Sequence, residues 1–182
     1  YIAWHVPSGG LDGWRLYIDN VIIEELPSCV EPENLTASNI TPDSVQLDWN
    51  DPTGSQFDYE YLILPTGSTA PDGSTSGISV GDLTVTDSSL SSGTTYDAYV
   101  RAYCSSSDQS VWVGPITFST PALVVCGTPV NTTYCYDDYD TTGWTFISSD
   151  GSPLRVTFNS GDIESCCDDI LVYDGVDSTG TL

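Results

Sequence analysis

Short runs of alternating apolar and polar residues, separated by turn-formers, constrain this chain more than any other feature. In SVQLDW, at 44–49, Val45, Leu47 and Trp49 fall on one side, Gln46 and Asp48 on the other. A period of two places such side chains on opposite faces of an extended strand. NLTASNI, YEYLIL, DLTVTD, TTYDAYVRAYC and VGPITFST come at short intervals, with Gly, Ser, Thr, Asp and Pro between them. Seven short strands at this spacing predict a two-sheet sandwich of about 90 to 100 residues. Helical periodicity is absent. The expected fold class is therefore all-β, and the 182 residues leave room for more than one unit.

Charge narrows the partners. Lys and Arg number 3 against 26 Asp and Glu, a formal net charge of −23. Such a surface repels phosphate backbones and anionic lipid, which argues against nucleic-acid binding and membrane-surface binding. Cations are the favoured small partners, Ca²⁺ above all, because it takes carboxylate oxygens. Disorder does not fit, since 39% of the residues are hydrophobic and 11% aromatic.

The 6 cysteines and the scarcity of basic residues point to an oxidising compartment. No CxxC or Cys/His zinc pattern is present, and His5 is the sole histidine. The sequence has no signal peptide, no apolar run of membrane-spanning length and no Met, as expected of an internal piece of a longer secreted chain.

TPDSVQLDW resembles the first two strands of a fibronectin type III domain, with Trp49 at its core tryptophan. LSSGTTYDAYVRAY is similar to that family's L-x-P-G-T-x-Y-x-V-x-V-x-A run and places Tyr96 at the tyrosine corner; Ser92 stands where proline is usual. The resemblance implies a buried Trp49, and a Tyr96 hydroxyl bonded to backbone near Leu90. Cysteines are unusual in this family. Cys104 shares parity with Tyr96, Ala98, Val100 and Ala102, so it points into the core, and Cys29 at the entrance of the first strand is its nearest unclaimed partner. A Cys29–Cys104 staple is expected.

Residues 1–28, with YIAWHV and WRLYIDNVIIEEL around a Gly-rich turn, resemble the closing strands of MAM and cleaved-adhesin jelly rolls. Trp4 and Trp14 read as sandwich core there rather than as a sugar-stacking platform. Residues 122–182 resemble the first half of a CUB domain, through the opening Cys126-Gly127, GWTF at 143–146 and DIESCCDDILVYDG. GWTFIS, LRVTF and DILVYDG are its expected strands. Thr142 replaces the usual cysteine, Cys135 comes early and the acidic loop is shortened, so the family's disulfides do not transfer. The expected organisation is 1–28 jelly-roll tail, 29–121 fibronectin-like domain and 122–182 CUB-like half.

In an extended strand Cys166 and Cys167 face opposite ways. A bond between them is awkward, because their Cα atoms lie about 3.8 Å apart, under the usual disulfide minimum. The surrounding carboxylates raise a thiol pKa, which disfavours a redox role, and further soft metal ligands are missing. Two structural disulfides to Cys126 and Cys135 remain, with the pairing open. The alternative is a local Cys126–Cys135 loop beside a vicinal 166–167 bond.

Catalytic motifs are absent: no HExxH, GxSxG or P-loop occurs, and one histidine leaves no room for a Ser/His or Cys/His pair. GWRLYIDN and FDYEY set acids beside aromatics as a glycosidase cleft does, but an outward acid between inward aromatics is ordinary solvation. YDDYD, with Asp137, Asp138 and Asp140, reads as a solvated acidic turn ahead of a calcium loop. Within the CUB-like piece the resemblance implies a Ca²⁺ site at Glu164 and Asp168, with a third acid beyond Leu182. Asp169 adds to the crowding that a divalent ion relieves, and the alternative is a solvated acidic edge, because the shortened loop moves Glu164 away from the other acids.

Asn34, Asn39 and Asn131 head N-glycosylation triplets, weak signals in a Thr-rich chain. The module order resembles large surface proteins of Bacteroidota exported by the type IX system. Ser44, Thr141 and Ser178 are then candidate O-glycosylation positions. The expected function is a non-catalytic segment of a secreted, cell-surface adhesin or fibre, serving as spacer and binding scaffold. The alternative is an accessory region of a secreted peptidase or glycosidase. Expected partners are neighbouring modules of the same chain and a surface glycan or protein ligand, with no nucleic acid and no membrane insertion.

Overall fold

A computed structural model describes residues 21, 28–55, 58–164, 169–175 and 179–182. The expected jelly-roll tail, with Trp4 and Trp14, therefore lies outside the described residues apart from Val21 and Ser28. Among the described residues ten strands form, and no helix is long and apolar enough to cross a membrane. They are β1 (Glu33–Ser38), β2 (Val45–Asn50), β3 (Tyr59–Pro65), β4 (Ile78–Val80), β5 (Thr84–Asp87), β6 (Thr95–Ser105), β7 (Asp108–Gln109), β8 (Val113–Ser119), β9 (Ala122–Val124) and β10 (Phe146–Ser148).

The first eight build two facing sheets. One has the order β1-β2-β5, and the other sets β4, β3 and β6 side by side, with β8 and β7 also pairing with β6. All of these pairings are antiparallel. The six quoted stretches fall on β1, β2, β3, β5, β6 and β8. Two strands lie outside those stretches: the short β7, and β4 inside the Gly/Ser/Pro loop, where β3 supplies a ladder through Tyr59↔Val80 and Tyr61↔Ile78.

Between the sheets the alternation predicted for β2 holds: Val45, Leu47 and Trp49 are buried. They pack with Leu35, Tyr59, Tyr61, Ala98, Val100, Ala102 and Phe118. Trp49 and Tyr59 meet edge to face with ring centroids 5.6 Å apart, a favoured aromatic geometry. The indole Nε1 of Trp49 is buried and has no hydrogen-bond acceptor. Tyr96 forms the expected corner: its hydroxyl accepts a bond from the backbone N–H of Ser91 at 2.9 Å, one residue past Leu90. Cys29 and Cys104 are bonded, with Cα atoms 5.8 Å apart.

Beyond Pro121 the picture changes. β9 and β10 pair in parallel as a two-stranded sheet. LRVTF at 154–158 forms no strand, and 169–175 holds only an isolated bridge, Asp174↔Thr181. Both were expected to be strands. Among the described residues neither has a neighbouring strand to complete a ladder, and an unpaired run leaves its backbone groups to water. Leu154, Val156, Phe158, Ile170, Leu171 and Val172 are exposed accordingly.

Candidate binding cleft on the outer sheet face

The outer face of the β3–β6 sheet carries the one concentration of buried charge among the described residues. Glu60 on β3 stands directly opposite Arg101 on β6. Alternation with the inward Tyr59 and Tyr61 predicts that Glu60 is solvated, yet it is only 6% exposed and Arg101 only 3%. Two loops cover the pair. From one, the carbonyl of Gly73 accepts a long bond from Arg101 Nη1 at 3.4 Å. From the other, the ring of Trp112 lies over the guanidinium, 4.6 Å from its centre.

Arg101 donates from Nε and Nη2 to the same carboxylate oxygen of Glu60, at 2.8 and 2.5 Å. The indole N–H of Trp112 donates to the Asp72 carbonyl at 3.0 Å, tying the two loops together. Gly77 makes room for that indole, since a Cβ there would come within 2.7 Å of the ring. A cleft of about 330 Å³ stays open, bordered by Asp72, Gly73, Gln109, Ser110 and Trp112. Glu60 neutralises Arg101, the one basic residue between positions 28 and 121. The cleft caps an ion pair whose desolvation demands close geometry and full pairing. Sequence reasoning missed Glu60, Arg101 and Trp112. The usable signal was a lone arginine in an acidic module, which needs a partner if buried.

Two further acids are spent on structure. Asp87 accepts from the Tyr61 hydroxyl at 3.1 Å and from Ser89 through its other oxygen. Burial, reinforced by the Asp87 charge, pushes the Tyr61 phenol up to about 12; burial and Asp51 do the same for Tyr59. In YDDYD, Asp140 accepts from the hydroxyl of Tyr134 and from Thr142, and these bonds, led by the Thr142 side chain, draw its carboxyl down to about 2. The Trp144 and Tyr134 rings meet at nearly right angles, their centroids 4.8 Å apart. This is the geometry of a self-bonded acidic turn.

The other expected sites fare unevenly. Cys126 and Cys135 are exposed and form no disulfide among the described residues; Cys166 and Cys167 lie outside them. Asp168 and Ser178 are likewise outside. Glu164 and Asp169 are exposed, and the Glu164 backbone N–H donates to the Tyr136 hydroxyl at 3.3 Å. Among the described residues no three His, Cys, Asp or Glu side chains are grouped to hold a metal. Ser44 is half-buried, its hydroxyl 2.6 Å from that of Thr41, whereas Thr141 is exposed. Asn34 and Asn39 are exposed, both with left-handed backbone, and Asn131 is exposed too.

A family model described as "Fibronectin type III domain" matches residues 30–118. Among solved structures, the fn3 domain of human collagen alpha-1(XX) chain is 25% identical, with a TM-score of 0.44 over 60% of this chain and 96% of that one. The domain of human fibronectin type III domain containing protein 3 is 22% identical, covering 56% and 92% with a TM-score of 0.43. The FN5 domain of Drosophila Lar is 18% identical, covering 50% and 95% with a TM-score of 0.39. No curated protein matches the sequence. The family match spans the sandwich with its buried Trp49 and its Tyr96 corner, and residues 30–118 are a fibronectin type III domain.

Proposed function

We propose that this chain is a non-catalytic spacer and binding scaffold within a secreted, cell-surface protein of the adhesin or fibre kind. Domains of this family are commonly spacers or binding modules in multidomain proteins. The observation that carries the reading is the placement of the chain's entry and exit. Cys29 is bonded to Cys104 near the C-terminal end of β6, while Thr120 is held at the N-terminal end, its backbone N–H on the Thr94 carbonyl at 3.0 Å. The domain therefore holds its entry and exit apart by roughly the length of β6, the ten residue steps from Thr94 to Cys104 at about 3.3 Å each. The disulfide supports an oxidising, extracytoplasmic location, and the acidic surface favours neighbouring modules, surface glycans or proteins over nucleic acid.

The test replaces residues 29–121 in the full-length protein with an unrelated β-sandwich of equal end-to-end length, or with a flexible Gly/Ser linker. Surface display and cell attachment should survive the first exchange and weaken with the second. Loss of attachment with the rigid sandwich would show that the domain's own surface recognises the ligand.

A further inference from the structure

The disulfide and the exit contacts anchor the two ends of this domain. Ser28 Oγ donates to Asp108 at 2.7 Å beside the Cys29–Cys104 bridge, so the incoming chain is fixed covalently and by a hydrogen bond to the β6–β7 end. At the opposite end Thr120 is buried. Its hydroxyl donates to the Ser91 carbonyl at 2.6 Å and accepts from the Thr94 N–H at 3.0 Å. The N–H of Gly93 donates to the Pro121 carbonyl at 3.1 Å. Tyr96, through Ser91, holds the same loop from inside.

We infer that the Cys29–Cys104 bond reroutes tensile load past β1 to β5 and places it in shear across the β6–β8 ladder, making the domain a strut of nearly fixed length. Without the bond a pull on residue 28 enters through β1. With it, the pull passes through two sulfurs to Cys104. From there it crosses to β8, whose far end, Ser119, lies against Thr95 at the other end of β6. Cys104 and Ser119 are drawn toward opposite ends of one antiparallel pair, so the strands are asked to slide rather than unzip. The bonds spanning Thr95↔Ser119 to Val100↔Val113 then resist together. Residues 30–103 sit inside a closed covalent loop and cannot extend even if their packing fails.

This inference rests on the spacer reading, but its measurement concerns the chain alone and stands apart from any attachment assay. The experiment pulls the oxidised full-length chain from handles attached at residues 28 and 121 in a single-molecule force instrument, beside a C29S/C104S variant. The oxidised chain should yield in one discrete step that lengthens it by about 2 nm, the gain from extending some 16 residues already spanning the length of β6. The variant should gain about 29 nm as roughly 91 residues extend, more than tenfold longer. A long step in the oxidised chain overturns the inference, as does gradual yielding without a discrete step. Should the variant fail to fold, the oxidised step length decides alone.

Discussion

Two stretches of strand-like sequence meet different fates in this chain. Val45, Leu47 and Trp49 vanish into the fibronectin type III sandwich, whereas Leu154, Val156 and Phe158 stand open to water, Phe158 at 65%. Alternation is as regular in LRVTF as in VQLDW. The difference lies in the neighbours. β2 has β1 on one side and β5 on the other, and its inward face meets a second sheet. Residues 154–158 have neither among the described residues. Alternation specifies which face of a strand would be buried; a ladder and an opposing layer decide whether it is.

The largest expected effect sharpens this contrast through the staple. Removing the Cys29–Cys104 bond, which spans 75 residues, should destabilise the sandwich by about 4.5 kcal/mol on chain-entropy grounds. Urea unfolding of the C29S/C104S variant, followed by Trp fluorescence, measures it. A loss under about 1 kcal/mol would show that the two sheets hold the entrance without covalent help.

Next comes the core itself. Trp49→Ala should cost about 3–5 kcal/mol, against about 0.5 kcal/mol or less for Phe158→Ala. Equal costs at the two positions would break the contrast. Trp49→Phe should lose less than the alanine change, because it removes an indole N–H that finds no acceptor while keeping a ring against Tyr59.

Glu60→Ala ranks third at roughly 3 kcal/mol, since it leaves the Arg101 charge buried and unpaired. The Glu60→Ala, Arg101→Leu double variant should recover much of that loss. If the single change is silent, water reaches the cleft and the ion pair is not sealed.

Much of this was legible in the residues and some was not, for physical reasons. The β2 alternation, the Tyr96 corner and the Cys29–Cys104 pairing rest on parity and a local motif, and the structure shows all three. The Glu60–Arg101 pair depends on the β3–β6 register, set by contacts 41 residues apart, and its burial depends on Trp112 folding over it from a third segment. Period-two reasoning places Glu60 outward and stops there, unaware that a loop returns to cover the face. β4 was missed because its three residues are strand-like only beside β3. Beyond Pro121, GWTFIS supplies β10 with β9 as its neighbour, but at 154–158 and 169–175 the error ran the other way: local pattern promised strands for which the described residues supply no neighbours.

The smallest expected effect concerns the Tyr61–Asp87 bond inside the sandwich. Tyr61→Phe deletes a hydroxyl donor to a buried carboxylate that still keeps Ser89, so the cost near neutral pH should be about 1–2 kcal/mol. Its pH dependence is more telling. The folded phenol is raised to about 12, above an unfolded value near 10. The folded state therefore holds this proton more tightly. The associated stability is complete below pH ~10 and drains away as pH climbs through the folded value. Tyr59 acts in the same window. Urea midpoints measured from pH 8 to 12 should fall steeply above 10 in the native chain and less steeply in Tyr61→Phe. Identical slopes would mean that the phenol ionises freely in the fold, and that the interior facing Asp87 is wetter than its burial implies.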